Sequence, residues 1–231
     1  MKSKYHTNLG KYRTGRGIHS IKSTLLLMLV ALLSLAMLTA CGGSSGDDDD
    51  FSDVESASEA AEKAPGIGVH HAEIEIKDYG TIKVELDGDE APLTVQNFMD
   101  LVNEGFYDGL TFHRIMDGFM IQGGDPEGTG TGGSDENIKG EFASNGIENN
   151  ISHKKGVISM ARAQDPNSAS SQFFITVADS EFLDGQYAAF GHVTEGQEVA
   201  DKIAADAEPT DDNGTIPPEA QPVITKITIT D

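Results

Sequence analysis

The chain has 231 residues, of which 38 are acidic and 16 are lysine or arginine, so its formal net charge at pH 7 is −22. A body this acidic repels the phosphates of DNA and RNA, which excludes a general nucleic-acid-binding protein. Cys41 is the only cysteine, which excludes a fold held by internal disulfide bonds.

The first 40 residues have the composition of an export signal. Six lysines and arginines, and no acidic residue, accompany an apolar run from Leu25 to Leu38 that only Ser34 interrupts. The run has 14 residues, which is short beside the roughly 20 that a membrane-spanning helix needs. A short apolar run behind a basic leader predicts a signal peptide over residues 1–40. An uncleaved signal helix is the alternative.

The leader ends in Leu38-Thr39-Ala40-Cys41, which resembles the bacterial lipobox. The resemblance implies cleavage before Cys41 and a diacylglyceryl thioether on its sulfur. Acyl chains contribute roughly 0.8 kcal/mol per buried CH₂, so they can anchor a protein without a spanning helix. We therefore predict a lipoprotein on the extracytoplasmic face of a bacterial cell membrane. Its mature chain would keep 10 basic and 38 acidic residues, a formal net charge of −28.

Residues 41–68 have the composition of a flexible, acidic tether. The segment opens with Gly-Gly-Ser-Ser-Gly after Cys41 and continues with four aspartates, Asp47–Asp50. Glycine and serine favour coil, and like charges repel one another, so no packed core is expected here. We interpret the aspartates as a solvated spacer rather than a metal site, because contiguous carboxylates do not converge easily on one ion.

The folded part is predicted to begin at Val69 with a β-hairpin. Apolar and charged residues alternate over Ala72–Ile76 and again over Ile82–Leu86, which is the period of half-buried strands. Asp78–Gly80 lies between them and has the residues of a turn.

Two helices and a last strand follow in the predicted chain order. The first helix begins at Pro92 and stops near Gly105, and the second covers Gln197–Ala205. The last strand places four alternating residues on one side: Val223, Thr225, Ile227 and Ile229. Short strands, many glycines and only two helices favour a closed antiparallel barrel.

Three sequence blocks carry the functional signal. They are Phe112–Asp125 (FHRIMDGFMIQGGD), Ser159–Thr176 (SMARAQDPNSASSQFFIT) and Phe182–Val193 (FLDGQYAAFGHV). The first block places Arg114 close to an apolar pair and to the amide of Gln122. One permanent charge beside an apolar patch and an amide suits binding of an uncharged peptide backbone, and it suits hydrolysis poorly.

In this order the three blocks resemble the cyclophilin family of peptidyl-prolyl cis–trans isomerases. The resemblance implies one domain over residues 69–231 with a mainly β fold: a closed eight-stranded antiparallel barrel capped by two α-helices. It also implies an enzyme that binds proline-containing polypeptides and rotates their X-Pro bonds, here in exported proteins. Such rotation needs no metal and no cofactor.

The resemblance implies roles for individual residues. Arg114 would donate a hydrogen bond to the proline nitrogen, and Gln122 would hold the substrate carbonyl or support the arginine. Phe119, Met120, Phe174 and Leu183 would line the proline pocket. The backbone of Ala161, Arg162 and Ala163 would grip the residue before proline. The remaining substrate contacts implied are Gly130, Gln172, Phe182 and Tyr187.

Three positions depart from the common family pattern. Phe182 stands where many members have a tryptophan that helps to bind the drug cyclosporin, so we expect weak cyclosporin binding with catalysis largely intact. Tyr187 replaces a common histidine, and Arg162 replaces a common asparagine. Segment 163–172 is also one residue longer than in eukaryotic members, which leaves loop shape and sequence preference open.

Two other classes of function stay open at this point. A non-catalytic chaperone or adaptor would hold proline-containing chains in the same groove, and it would not accelerate cis–trans exchange. A carrier of lipids or small ligands would need a large apolar cavity inside the barrel.

Overall fold

The computed structural model describes residues 67–231, so the predicted signal peptide, Cys41 and the tether up to residue 66 lie outside the described residues. Neither of the two helices in the described part is long and apolar enough to cross a membrane. The elements are, in order, β1 (Val69–Ile76), β2 (Gly80–Asp87), α1 (Pro92–Asn103), β3 (Thr111–Met116), β4 (Met120–Asp125), β5 (Val157–Met160), β6 (Phe173–Thr176), β7 (Ala189–Glu195), α2 (Gln197–Asp206) and β8 (Ile224–Ile229).

The strands form one curled antiparallel sheet in the order β3-β4-β6-β5-β7-β2-β1-β8. The sequence predicted a closed barrel, but the ladder is open between its edge strands, β3 and β8. Only isolated bridges, Thr111 with Val223 and Arg114 with Thr215, join β3 to the segment before β8. Three prolines within residues 217–222 explain the opening, because proline has no N–H to donate to a ladder.

The predicted hairpin and both predicted helices are confirmed. β1 and β2 pair from Val69 to Ile76, and Asp78 adopts a positive φ of 65° in the turn between them. Helix α1 begins at Pro92, and the chain leaves it through Gly105, whose φ of 71° favours glycine. Helix α2 extends one residue past the predicted end.

The predicted alternation of β8 is wrong at Thr225, which is exposed, whereas Ile224 and Ile227 are buried. The register of β8 against β1 shifts at this point, so Thr225 is an extra residue on one strand, a β-bulge. A bulge moves the alternation by one position and exchanges the two faces of the strand.

The interior of the curled sheet is filled by aromatic and aliphatic side chains. Six large aromatic residues are fully buried there: Phe98, Tyr107, Phe112, Phe142, Phe173 and Phe190. Phe98 of helix α1 packs edge-on against Phe173 of β6, with ring centroids 5.6 Å apart. Burial of each such ring contributes about 1.5–3 kcal/mol. This packed interior argues against a carrier that holds its ligand inside the barrel.

Candidate active site on the outer face of the sheet

Arg114 reaches the outer face of the sheet because β3 contains a bulge. Phe112 pairs with Gly123 and Arg114 pairs with Gln122, so His113 is an extra residue on β3. In a regular strand, residues 112 and 114 would share one face, since side chains alternate with a period of two. The bulge instead leaves Phe112 in the core and turns Arg114 outward.

Hydrogen bonds hold the guanidinium of Arg114 from two sides. Its Nη1 donates to Oε1 of Gln122 at 3.1 Å, and its Nε donates to the backbone oxygen of Asn213 at 2.8 Å. Gln122 in turn donates to Oε1 of Gln172 at 2.9 Å, and Gln172 donates to the backbone oxygen of Gly132 at 2.7 Å. Arginine and both glutamines therefore form one connected polar row.

The loop that carries Asn213 is organised by the carboxylate of Asp211. This carboxylate accepts the backbone N–H groups of Thr215 and Asn213, each at 3.0 Å, and the hydroxyl of Thr215 at 2.9 Å. Hydrogen bonds from the Thr215 backbone, and then from its side chain, lower the pKa of Asp211. Asp211 thus acts indirectly on Arg114 by fixing the carbonyl that orients it.

An apolar pocket lies beside the guanidinium. Met120, Phe174 and Leu183 are buried in a cluster separate from the main core. The adjoining cavity of about 400 Å³ has apolar and polar walls, formed by Arg114, Phe119, Met120, Gln122, Ala161, Arg162, Phe174, Phe182, Leu183 and Tyr187. Phe182 is 67% exposed at its rim, and its ring centroid lies 5.4 Å from that of Phe119. The pocket is large enough for a proline ring and offers it an apolar wall.

A second, more polar cavity of about 510 Å³ continues from the first. Gln122, Ala161 and Arg162 line both cavities. The walls of the second are otherwise glycines, small polar residues and alanine: Gly130, Thr131, Gly132, Gly133, Ser134, Asn137, Ala163, Ser168, Ser170 and Gln172. A peptide that leaves the apolar pocket across Ala161 therefore enters a groove of hydroxyl and amide groups.

The glycine-rich wall of the second cavity is shaped by the buried carboxylate of Asp125. It accepts backbone N–H groups from residues 127, 129, 130 and 132, the shortest from Gly130 at 2.6 Å. Burial raises the pKa of Asp125, but these N–H donors outweigh burial and lower it below its usual value. Gly130 has a φ of 87°, which an L side chain rarely adopts, and it packs against His113.

His153 lies behind the apolar pocket and was missed from the sequence. Its ring is stacked on Phe174, with centroids 6.1 Å apart, while its Nδ1 lies 2.8 Å from Asp184 and its Nε2 lies 3.0 Å from Ser159. Burial lowers the pKa of His153, and the hydrogen bond with Asp184 opposes this effect. Because Ser159 and His153 are buried, this trio supports the pocket wall and offers no nucleophile to a substrate.

Every predicted site residue within residues 67–231 lines one of the two cavities. Asn213 was also missed, although its Asn-Gly sequence indicates a turn. No sequence signal connects that turn to Arg114, which lies 99 positions away. Cys41 lies outside the described residues.

The family model for "Cyclophilin type peptidyl-prolyl cis-trans isomerase/CLD" matches residues 71–229. The chain belongs to the cyclophilin family. Its function in this family is peptidyl-prolyl cis–trans isomerisation.

Two curated cyclophilins illustrate the similarity in sequence. "Peptidyl-prolyl cis-trans isomerase-like 1" of Rhizopus delemar is 47% identical over 125 residues, which cover 54% of this chain and 74% of the relative. A "Peptidyl-prolyl cis-trans isomerase" of Helicobacter pylori is 48% identical over 126 residues, with the same two coverages.

Solved cyclophilin structures have the same fold. A cyclophilin type peptidyl-prolyl cis-trans isomerase of Cryptosporidium parvum aligns with a TM-score of 0.63 and 30% identity, over 71% of this chain and 99% of that one. A second structure of that protein, determined in the presence of the dipeptide Ala-Pro, aligns with a TM-score of 0.62 and 31% identity, over 70% and 99% of the two chains.

Proposed function

We propose that this cyclophilin is a lipid-anchored isomerase that rotates X-Pro bonds of proteins folding outside the cytoplasmic membrane, with Arg114 as its catalytic donor. The observation that carries the role of Arg114 is its place at one wall of the apolar cavity, with Phe119 and Phe174 at the others. A permanent charge beside a pocket of this size and polarity is suited to a neutral imide.

The chemistry needs only a donor and a rigid pocket. An X-Pro bond turns slowly because its C–N bond has partial double-bond character, with a barrier of about 18–20 kcal/mol. As the bond twists, amide resonance is lost and the proline nitrogen regains a lone pair. A donor directed at this nitrogen stabilises the twisted form more than either planar form, and this difference lowers the barrier.

The contacts of Arg114 leave it one donor group for this task. Its Nε and Nη1 are engaged by Asn213 and Gln122, whereas its Nη2 contacts only the thioether sulfur of Met116, at 3.2 Å. A thioether is a weak acceptor, so a proline nitrogen can replace it. One charge-assisted hydrogen bond is worth about 1.5–3 kcal/mol, which corresponds to about one or two powers of ten in rate.

Replacement of Arg114 tests this role. We expect Arg114→Ala to lower kcat/KM for a proline peptide by about ten- to a hundredfold, as measured by NMR exchange spectroscopy. Arg114→Lys keeps the charge without the planar guanidinium, and its kcat/KM should lie between those of the wild type and Arg114→Ala. Circular dichroism and thermal unfolding should be unchanged. Equal exchange rates in the wild type and Arg114→Ala would refute the assignment.

Membrane attachment is a separate part of the proposal and rests on the Leu38–Cys41 motif. A lipid on Cys41 would hold the domain near the bilayer, while the acidic chain would be repelled by anionic headgroups. Mass spectrometry of membrane-extracted protein should find a diacylglyceryl group on Cys41 at the new N-terminus. Cys41→Ser should abolish both cleavage and lipidation. Unmodified Cys41 with residues 1–40 still attached would reject the anchor.

Cyclosporin binding is expected to be weak, because Phe182 offers a smaller ring than tryptophan and no indole N–H. Phe182→Trp should therefore tighten cyclosporin binding, by about three- to tenfold for the added apolar area and N–H. Isothermal titration of both proteins with the drug measures the difference. Equal affinities would remove Phe182 as the cause.

A further inference from the structure

The two arginines in the described part of the chain both line the cavities of the candidate active site, and neither pairs with a carboxylate. Arg114 and Arg162 are these arginines, and all ion pairs within residues 67–231 are made by lysine or histidine. This is notable in a chain with a formal net charge of −22. Arg114 has a role in the proposed mechanism, whereas the guanidinium of Arg162 has none.

The guanidinium of Arg162 is fixed in place by its neighbours. Its carbon lies 4.8 Å from the ring centroid of Tyr187 and 5.1 Å from that of Phe142. Its Nε donates to the backbone oxygen of Gln186 at 3.0 Å, and its Nη1 donates to the backbone oxygen of Ala163 at 2.9 Å. Its Nη2 makes no hydrogen bond within the described residues. One edge of a preorganised cation is thus left for a ligand.

Arg162 stands where the two cavities meet. It lines both the apolar pocket and the polar cavity, and its neighbour Ala161 does the same. No aspartate or glutamate lines either cavity, so no carboxylate in these walls competes for the cation. If proline occupies the apolar pocket, as the proposed function requires, and the backbone of residues 161–163 grips the residue before it, as the family resemblance implies, that residue passes beside Arg162.

We propose that Arg162 is a specificity-determining residue that favours substrates with an acidic side chain immediately before proline. The glutamate or aspartate carboxylate of such a peptide accepts hydrogen bonds from the free Nη2 edge. The position is partly open to water, so the ion pair should be worth a modest two- to fivefold, about the effect of an exposed pair. The net negative charge of the protein disfavours the acidic peptide relative to the neutral one. This effect is almost the same in the wild type and in a variant without Arg162.

A two-by-two experiment isolates this contact. Wild type and Arg162→Gln are each assayed with the peptides Ala-Glu-Pro-Phe and Ala-Gln-Pro-Phe, which differ only in charge before proline. The readout is the Glu/Gln ratio of kcat/KM, because loss of the stack on Tyr187 lowers both rates together. We expect the ratio to fall by about two- to fivefold in Arg162→Gln, and the difference between the two proteins to shrink as salt screens the pair in the wild type.

The outcomes separate this inference from the proposed function. An unchanged ratio, with both peptides still isomerised, would overturn the role of Arg162 alone. Failure of the wild type to isomerise either peptide would overturn the proposed function instead. Arg162→Lys is the charge control: it should retain part of the ratio, and a ratio equal to that of Arg162→Gln would show that charge is not what selects the peptide.

Discussion

The two faces of strands β3, β4 and β6 perform different tasks with alternate residues of the same sequence. The inner face is a closed packing of aromatic rings, whereas the outer face combines one charge, two amides and an incomplete apolar wall. Phe173 and Phe174 show the contrast most directly, since they are adjacent, of one type and both buried. Phe173 contacts core rings, whereas Phe174 contacts Tyr187 and the ring of His153. Burial alone therefore does not separate the residues of the core from those of the candidate active site.

The largest expected effect comes from replacing Phe173 and Phe174, each in a separate variant, by alanine. Phe173→Ala should lower the free energy of unfolding by about 3–5 kcal/mol, because it leaves a cavity among packed rings. Phe174→Ala should lower the free energy of unfolding by about half of that amount or less, because the cavity it creates opens into the pocket. It should instead lower kcat/KM by about tenfold or more through loss of a wall for proline.

Urea unfolding and NMR exchange on both variants make this measurement. The two proteins are each other's control, because the side chain removed is the same. If Phe174→Ala were the more destabilised of the two and kept full activity, the division between the faces would be wrong.

A smaller effect tests how far the outer face depends on a distant loop. Asp211→Ala should lower kcat by about fivefold with little change in KM, because the Asn213 carbonyl loses its support and Arg114 loses its orientation. Asp211→Asn keeps an acceptor oxygen and should recover part of the loss. Steady-state kinetics on a proline peptide provides the readout.

The neighbouring residue offers a matched control. Asp212→Ala removes the same charge from an exposed position next to Asp211 and should leave kcat within experimental error. Equal losses in the two alanine variants would mean that charge, rather than the hydrogen bonds of Asp211, matters to Arg114.

The smallest effect concerns His113, at the boundary between the faces. Burial lowers the pKa of His113, the charge of Asp125 opposes this, and Arg114 reinforces it. Below its unfolded pKa of about 6.5, the unfolded chain takes up a proton that the folded protein resists. Stability is therefore unaffected above this pH and is lost as pH falls below it, by at most about 1.4 kcal/mol per pH unit for one proton.

Urea unfolding at several pH values between 5 and 8 tests this. His113→Gln should flatten the acid slope without removing it, because His153 is also buried with a lowered pKa. An unchanged slope would show that His113 does not contribute to it.

The predicted site residues within residues 67–231, all but Gly130, come from three contiguous blocks, and the structure places all of them along two adjoining cavities. The hairpin was predictable because alternation is local. It did not predict the bulges at His113 and Thr225, since an extra residue is defined only by the strand opposite. It did not identify Asn213 or His153 because their partners are distant in the chain. The sequence also did not predict the opening between β3 and β8, because the effect of the prolines within residues 217–222 depends on which strand they face.

Strand β3 can absorb a change in length at His113. Deletion of this residue would make Phe112 and Arg114 neighbours, and because side chains alternate along a regular strand, the two would still face opposite sides of the sheet. Their pairing with Gly123 and Gln122, which are neighbours on β4, would then be continuous. The deletion would instead remove a buried imidazole beside Gly130, so the damage should fall on the wall of the second cavity and not on the division between the two faces.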